Sequence, residues 1–281
     1  MEEQKRNTLT LPGAIIIAST LIAVTILLKW TPARTETSTA EHKSNTVAAL
    51  VDGGHILPLD TEKKMLATLT ANGSIDPDKL PRVTELNLLW AFGLANKNQV
   101  LEDGPIMDMR YGGPTNMASV GGWSVTTGSV MDHYDKHALA ALTPDQQALV
   151  EKMAKRIYRP CCGNSTYFPD CNHGMAMLGL LEYLASNGAT EEQIWNAAMT
   201  ANAAWFPDQY QTIGLYLKQK GMDIRGISPQ EILGYDYSSG PGFAKITSQV
   251  VQPQGQQKGA SNCGVDSGAP ADMPKQPSCG V

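Results

Sequence analysis

The chain has 281 residues, of which 42% are apolar and 17% are charged, and this composition is typical of a folded protein of one or two domains. It excludes a disordered or collagen-like protein. The 22 basic and 27 acidic side chains give a net charge of −5, which offers polyanions no attraction, so we expect no nucleic-acid partner.

The first predicted element is a membrane span near the N-terminus. Residues 9–28 carry no charged side chain, and a helix over them would be about 30 Å long, the thickness of a bilayer's hydrocarbon core. Lys29 and Trp30 follow, and both residue types favour the headgroup region. Because the apolar core is longer than that of a cleaved signal peptide, residues 1–30 predict a single-pass signal-anchor. A cleaved signal and a buried core helix are the alternatives.

Composition then divides the rest of the chain. Residues 31–46 are rich in Thr, Ser, Ala and charge and predict a flexible linker, and residues 251–281 are rich in Gly, Pro and Gln and predict a disordered tail. Residues 47–250 are left as one compact domain. An N-terminal anchor before a domain with clustered cysteines favours an extracytoplasmic domain at the cell membrane, although the flanking basic residues do not decide the orientation.

The domain is predicted to be mostly α-helical, because helix-capping signals recur along it. Thr143 and Thr190 each begin a capping box that precedes an amphipathic run, and Gly188 and Gly221 provide stop signals. The predicted helices lie near residues 60–71, 80–96, 131–141, 144–158, 172–187, 191–205, 208–220 and 229–233.

A glycine-rich segment interrupts this helical pattern at residues 103–130. We expect a long loop there, with a short hairpin, serving either as a binding loop or as a series of tight turns. The segment lacks the glycine spacing of a phosphate loop or a dinucleotide fingerprint, so nucleotide binding has no support.

The strongest chemical signal is a cluster of cysteine and histidine between the predicted helices. Cys161, Cys162, Cys171 and His173 lie close together in the chain, and Cys171 stands where a helix is predicted to begin. A helix N-terminus stabilises a thiolate, which is the form that binds metals. Three thiolates and an imidazole, with a thioether from Met175, suit copper or zinc. The sequence therefore predicts a soft-metal site formed by these five residues.

Two other interpretations use the same cysteines. In a thiol-disulfide redox protein, Cys171 is the low-pKa attacking thiolate and Cys161 or Cys162 is its partner. In a non-enzymatic helical binding domain, one of these pairs is a structural disulfide that fastens the loop to the helix. The sequence leaves open whether the protein is an enzyme.

Further candidate ligands lie outside the cluster. His133 and His137 are four residues apart, and on a helix they would form a secondary metal site or lend one imidazole to the cysteines. Cys263 and Cys279 lie in the C-terminal tail, where a flexible arm would let their thiols reach the main site. The expected partners are the membrane, through the N-terminal helix, and a metal donor or redox partner.

Overall fold

The computed structural model describes residues 56–250, and this part of the chain is mostly α-helical with no β-strand. The predicted α-helical class is therefore confirmed for these residues. None of their helices is long and apolar enough to cross a bilayer. The predicted anchor, the linker and the tail with Cys263 and Cys279 lie outside the described residues.

Eleven α-helices follow one another in the described part of the chain. They are α1 (Leu59–Ala71), α2 (Glu85–Ala95), α3 (Gln99–Glu102), α4 (Ala118–Gly121), α5 (Pro144–Ala154), α6 (Asn172–Ser186), α7 (Glu191–Trp205), α8 (Pro207–Gln219), α9 (Pro229–Ile232), α10 (Tyr235–Ser238) and α11 (Gly240–Thr247). Short 3₁₀ turns connect them at Pro105–Met107, Met109–Tyr111, Pro114–Asn116, Val130–Asp132 and Ile224–Gly226.

The local helix signals act as the sequence predicts. Thr143 and Thr190 each accept a hydrogen bond from the backbone amide three residues on, and the glutamine at that position closes the capping box. Gly188 and Gly221, just beyond α6 and α8, adopt positive φ angles of 77° and 75° that an L side chain would strain.

Helices α2 and α6 form the centre of the domain. Nearly all of α2 is buried, and most of α6 is buried as well. The two backbones approach so closely that a Cβ on Gly93 would lie 2.3 Å from the carbonyl oxygen of Met175, and one on Gly179 would lie 2.3 Å from that of Leu89. This pair of glycines fixes the position of α6, whose first turn carries the predicted site.

The helix predicted at residues 131–141 is wrong. After the 3₁₀ turn at Val130–Asp132 the chain turns, and Asp135 has a left-handed φ of 56°. The amides of Asp135 and His137 donate to the carbonyls of Leu94 and Ala95 at the end of α2. Because these amides satisfy carbonyls that a helix end leaves unpaired, they are unavailable for a helix of their own.

The hairpin expected within residues 103–130 is also wrong, whereas the tight turns are present. The segment consists of three 3₁₀ turns and the short helix α4, and Gly112, Gly113 and Gly128 have positive φ angles. The isolated β-bridges of the described residues lie elsewhere, between Asn96 and His137 and between Tyr158 and Ser165.

Candidate metal centre

The predicted cysteines are brought together by a closed loop in front of α6. The bridge between Tyr158 and Ser165 closes this loop, and the amide and hydroxyl of Thr166 both donate to the carbonyl of Ile157. Cys171 is the N-cap residue of α6, as its predicted place at a helix start requires. The loop thus holds Cys161 and Cys162 against the first turn of the helix.

The three sulfur atoms are arranged around Cys171. Its Sγ lies 3.7 Å from the Sγ of Cys161 and 3.8 Å from that of Cys162, and no disulfide joins these three cysteines to one another. Cys171 is fully buried, whereas Cys161 and Cys162 are half-buried. Two sulfurs that each bind one metal at about 2.3 Å in tetrahedral geometry lie about 3.8 Å apart, so both spacings suit a shared ion.

A buried arginine, which the sequence analysis missed, lies beside these sulfurs. Arg159 is 1% exposed, and its Nε donates to the Sγ of Cys171 at 3.1 Å. Its terminal nitrogens donate to the carbonyls of Asn164 and Phe168 and form an ion pair with Asp170. A single guanidinium therefore fastens the loop together and places a positive charge next to the Cys171 thiol.

The glycine that follows His173 makes room for this arginine. A Cβ on Gly174 would lie 2.5 Å from a terminal nitrogen of Arg159 and 2.6 Å from its central carbon. No ordinary contact is this short, so the guanidinium packs against the first turn of α6 only because residue 174 has no side chain. The Cys-Asn-His-Gly sequence thus encodes the arginine pocket as well as two candidate ligands.

The environment of Cys171 favours its thiolate. Hydrogen bonds from the thiols of Cys161 and Cys162 lower its pKa well below the ordinary value, and the charge of Arg159 adds to this, against the opposing effect of burial. A hydrogen bond with Cys161 lowers the pKa of Cys162, but its hydrogen bond to Cys171 and its burial outweigh that effect and raise it. The surroundings therefore favour the thiolate at Cys171 and the protonated thiol at Cys162.

Burial affects the other charged members of the cluster in different ways. It raises the pKa of Asp170 despite the nearby Arg159. Burial alone would lower the pKa of Arg159, but the neighbouring cysteines and Asp170 raise it, so the guanidinium stays charged. A fixed positive charge on Arg159 favours anionic sulfur ligands around it.

His173 joins the sulfurs, as predicted from the sequence. A ring nitrogen of His173 and the sulfurs of Cys161 and Cys171 all lie within 4.8 Å of one another. The ring packs against Phe206 at 4.4 Å and Trp205 at 5.9 Å between centroids, where α7 passes into α8. Its Nδ1 is buried without a hydrogen-bond partner. An unpartnered buried nitrogen is costly, and a bound cation would remove that cost.

A second group of potential ligands overlaps the first. Cys162, Asp170 and Cys171 also have their ligand atoms within 4.8 Å of one another. The predicted cysteines and His173 are therefore divided between two groups that share Cys171, and the second group is completed by Asp170, which was not predicted as a ligand. Among the described residues no single group contains both Cys161 and Cys162.

Met175, the fifth predicted ligand, belongs to the hydrophobic core. It is fully buried there, one turn after Cys171 on α6, and its amide donates to the Cys171 carbonyl at 3.0 Å. Its role as a thioether ligand stays a prediction.

His133 and His137 are brought together, although not by a helix. The Nδ1 of His133 lies 3.1 Å from the Nε2 of His137, and the rings stack at 5.3 Å between centroids. The Nε2 of His133 lies 2.8 Å from the carbonyl oxygen of Thr127 and so carries the proton of that hydrogen bond. Among the described residues, neither histidine belongs to a group of three or more potential metal ligands.

Comparisons with protein-family models, with curated proteins and with solved structures each found no match. The function of the site is therefore inferred from its geometry and its donor atoms.

Proposed function

We propose that this protein is anchored in the membrane with its helical domain on the extracytoplasmic side, and that the domain binds one soft metal ion, copper or zinc. Cys161 and Cys171 supply thiolates and His173 supplies an imidazole nitrogen. The convergence of these three ligand atoms within 4.8 Å carries the proposal.

The chemistry of the donors supports a soft ion. Thiolate and imidazole ligands suit Cu(I) and Zn(II), whereas Mg²⁺ and Ca²⁺ require oxygen ligands. Arg159 compensates the negative charge that two thiolates bring into a buried site. Cu(I) is satisfied by three such donors, and Zn(II) requires a fourth, for which Cys162, Asp170 and Met175 are the candidates.

The proposed anchor and tail determine where the site meets its metal and which further ligands are near it. A domain tethered to the outer side of a membrane meets metal ions delivered by another protein, so we expect a metal donor as its partner. The tail thiols of Cys263 and Cys279 are additional ligands by which an ion reaches or leaves the site.

Metal analysis of the full chain tests the proposal. Protein purified anaerobically in detergent should carry one equivalent of copper or zinc and lose it in Cys171→Ser. His137→Gln is the matched control and should keep the metal. Wild-type protein that binds neither ion would contradict the proposal.

Thiol-disulfide exchange is a second candidate, favoured by two thiols close to one thiolate. The Cys171 thiolate would attack a substrate disulfide and release one substrate thiol. Cys161 or Cys162 would then displace the second substrate thiol, forming a protein disulfide and transferring two electrons to the substrate. The 1% exposure of Cys171 weighs against this candidate, because an attacking sulfur must reach its substrate.

Thiol counting separates the remaining alternatives. The metal site requires reduced cluster thiols together with a bound ion. A disulfide that cycles with a reductant supports exchange. A reduction-resistant disulfide between Cys171 and Cys161 or Cys162, without metal, supports the structural role.

A further inference from the structure

The two overlapping ligand groups differ in their chemistry. We call Cys161, Cys171 and His173 the inner set, and Cys162, Asp170 and Cys171 the outer set. The inner set offers two sulfurs and a nitrogen, all soft or borderline donors. The outer set replaces the nitrogen by a carboxylate oxygen, which binds soft ions poorly. Both sets contain Cys171.

The two sets also differ in access and in the partners that they already have. Asp170 is partly exposed, whereas His173 is buried. Asp170 is engaged by Arg159 and by the side-chain amide of Asn164, but the Nδ1 of His173 has no partner. An ion therefore meets weaker, more accessible ligands in the outer set and stronger, more enclosed ligands in the inner set.

The geometry points to a two-step loading path for Cu(I), an inference that rests on the proposed function. The ion first enters the outer set, with Cys162 as its first ligand. It then moves to the inner set while Cys171 remains bound to it. Cys162 is thus an entry ligand, and Cys161 is a final ligand.

The spacing of the sulfurs makes such a transfer direct. Cys171 lies 3.7 Å from one partner sulfur and 3.8 Å from the other, so an ion bound to Cys171 has either neighbour within bonding reach. Ligands are then exchanged one at a time, and the ion never leaves the protein as a bare cation.

The atoms and charges balance in both steps. On entry the Cys162 thiol releases its proton to water as its sulfur binds the ion. In the transfer, the bond from the ion to Cys162 breaks as the bond to Cys161 forms, and the proton of the Cys161 thiol passes to the Cys162 thiolate. The bond from the ion to the Asp170 carboxylate breaks as the bond to a ring nitrogen of His173 forms, and the carboxylate keeps its ion pair with Arg159. Neither step changes the oxidation state of copper or sulfur.

Adjacent cysteines provide a matched pair of variants for the test. The full chain is purified in detergent with Cys263→Ser and Cys279→Ser, which leaves three cysteines. Cu(I) is presented anaerobically as a complex with a coloured chelator, and stopped-flow absorbance gives the loading rate while competition at equilibrium gives the affinity. Cys162→Ser and Cys161→Ser are compared in this background, and circular dichroism verifies that each is folded.

The two substitutions should have different effects. Cys162→Ser should slow loading about tenfold, because one ligand is lost on the way to the bound state, and leave the affinity nearly unchanged. Cys161→Ser should weaken the affinity at least about 100-fold, since even groups that only support a metal ligand cost 10- to 100-fold. Cys162→Ala replaces Cys162→Ser if the latter does not fold.

Three results would overturn the path. An unchanged loading rate in Cys162→Ser removes the entry role. Equal losses of affinity in both variants show one site that uses all three sulfurs. A parent chain that takes no Cu(I) from the chelator removes the path, and one that binds neither Cu(I) nor Zn(II) removes the proposed function as well. An unchanged affinity together with slower loading in Cys162→Ser supports the path.

Discussion

The cysteine cluster and the histidine pair are both sets of potential metal ligands, and they differ in how far their donors are already satisfied. His133 bonds to His137 and to the Thr127 carbonyl, so its ring uses both nitrogens within the protein. At the cluster, the Nδ1 of His173 has no partner, and Arg159 stabilises a thiolate. A metal site is indicated by donors that the fold leaves unsatisfied rather than by ligand residues close in sequence.

The largest loss of stability should come from removing the buried guanidinium of Arg159, which the cysteine cluster has and the histidine pair lacks. Arg159→Leu leaves Asp170 and the Cys171 thiolate without their cation, and breaking a buried ion pair costs about 3 to 5 kcal/mol. Urea unfolding should show this loss in the apo protein. Arg156→Leu is the control, because Arg156 is exposed, and should stay within about 0.5 kcal/mol of wild type. Equal free energies of unfolding for the two variants would contradict the role of Arg159 in stabilising the cluster.

A smaller effect should follow from filling the arginine pocket. In Gly174→Ala the new Cβ meets the guanidinium of Arg159, and overpacking of this kind costs about 1 to 3 kcal/mol. Gly214→Ala in α8 is the matched control, because its Cβ meets nothing within 4 Å and alanine favours a helix by about 1 kcal/mol over glycine. Thermal unfolding should therefore move in opposite directions, and a shift in the same direction would contradict the packing of Arg159 on α6.

The smallest effect concerns the histidine pair. Burial and the neighbouring His133 lower the pKa of His137 below its ordinary value of 6.5. As the pH falls through that value, the unfolded chain binds a proton at His137 more readily than the folded chain, so the folded state loses stability. In His137→Gln this pH-dependent loss of stability is absent, because glutamine does not bind a proton. The wild-type advantage in unfolding free energy over the variant should therefore shrink as pH falls from about 7 to about 5, and an advantage that grows instead would contradict the lowered pKa.

Local signals predicted the parts of the molecule that local interactions determine. Capping boxes at Thr143 and Thr190 and the stop at Gly188 lie within one turn of the helix ends that they specify. The proximity of Cys161 and Cys171 could also be predicted from the sequence, because only a short loop separates them. The helix predicted around His137 was wrong because amides there pair with the end of α2, which is distant in sequence.

The role of Arg159 was beyond the sequence analysis for a similar reason. A charged side chain beside a proline and two cysteines is ordinary in a sequence, and its burial depends on how the loop closes and on the missing side chain of Gly174. The division into inner and outer sets likewise depends on side-chain positions, since Cys161 and Cys162 are neighbours in the chain and belong to different groups.

X-ray absorption at the bound metal tests the central claim most directly. The chain loaded with one equivalent of Cu(I) should show two sulfur ligands at about 2.3 Å and one imidazole nitrogen at about 2.0 Å. A spectrum with only nitrogen and oxygen ligands, or one unchanged by Cys171→Ser, would contradict the assignment of the ion to Cys161, Cys171 and His173.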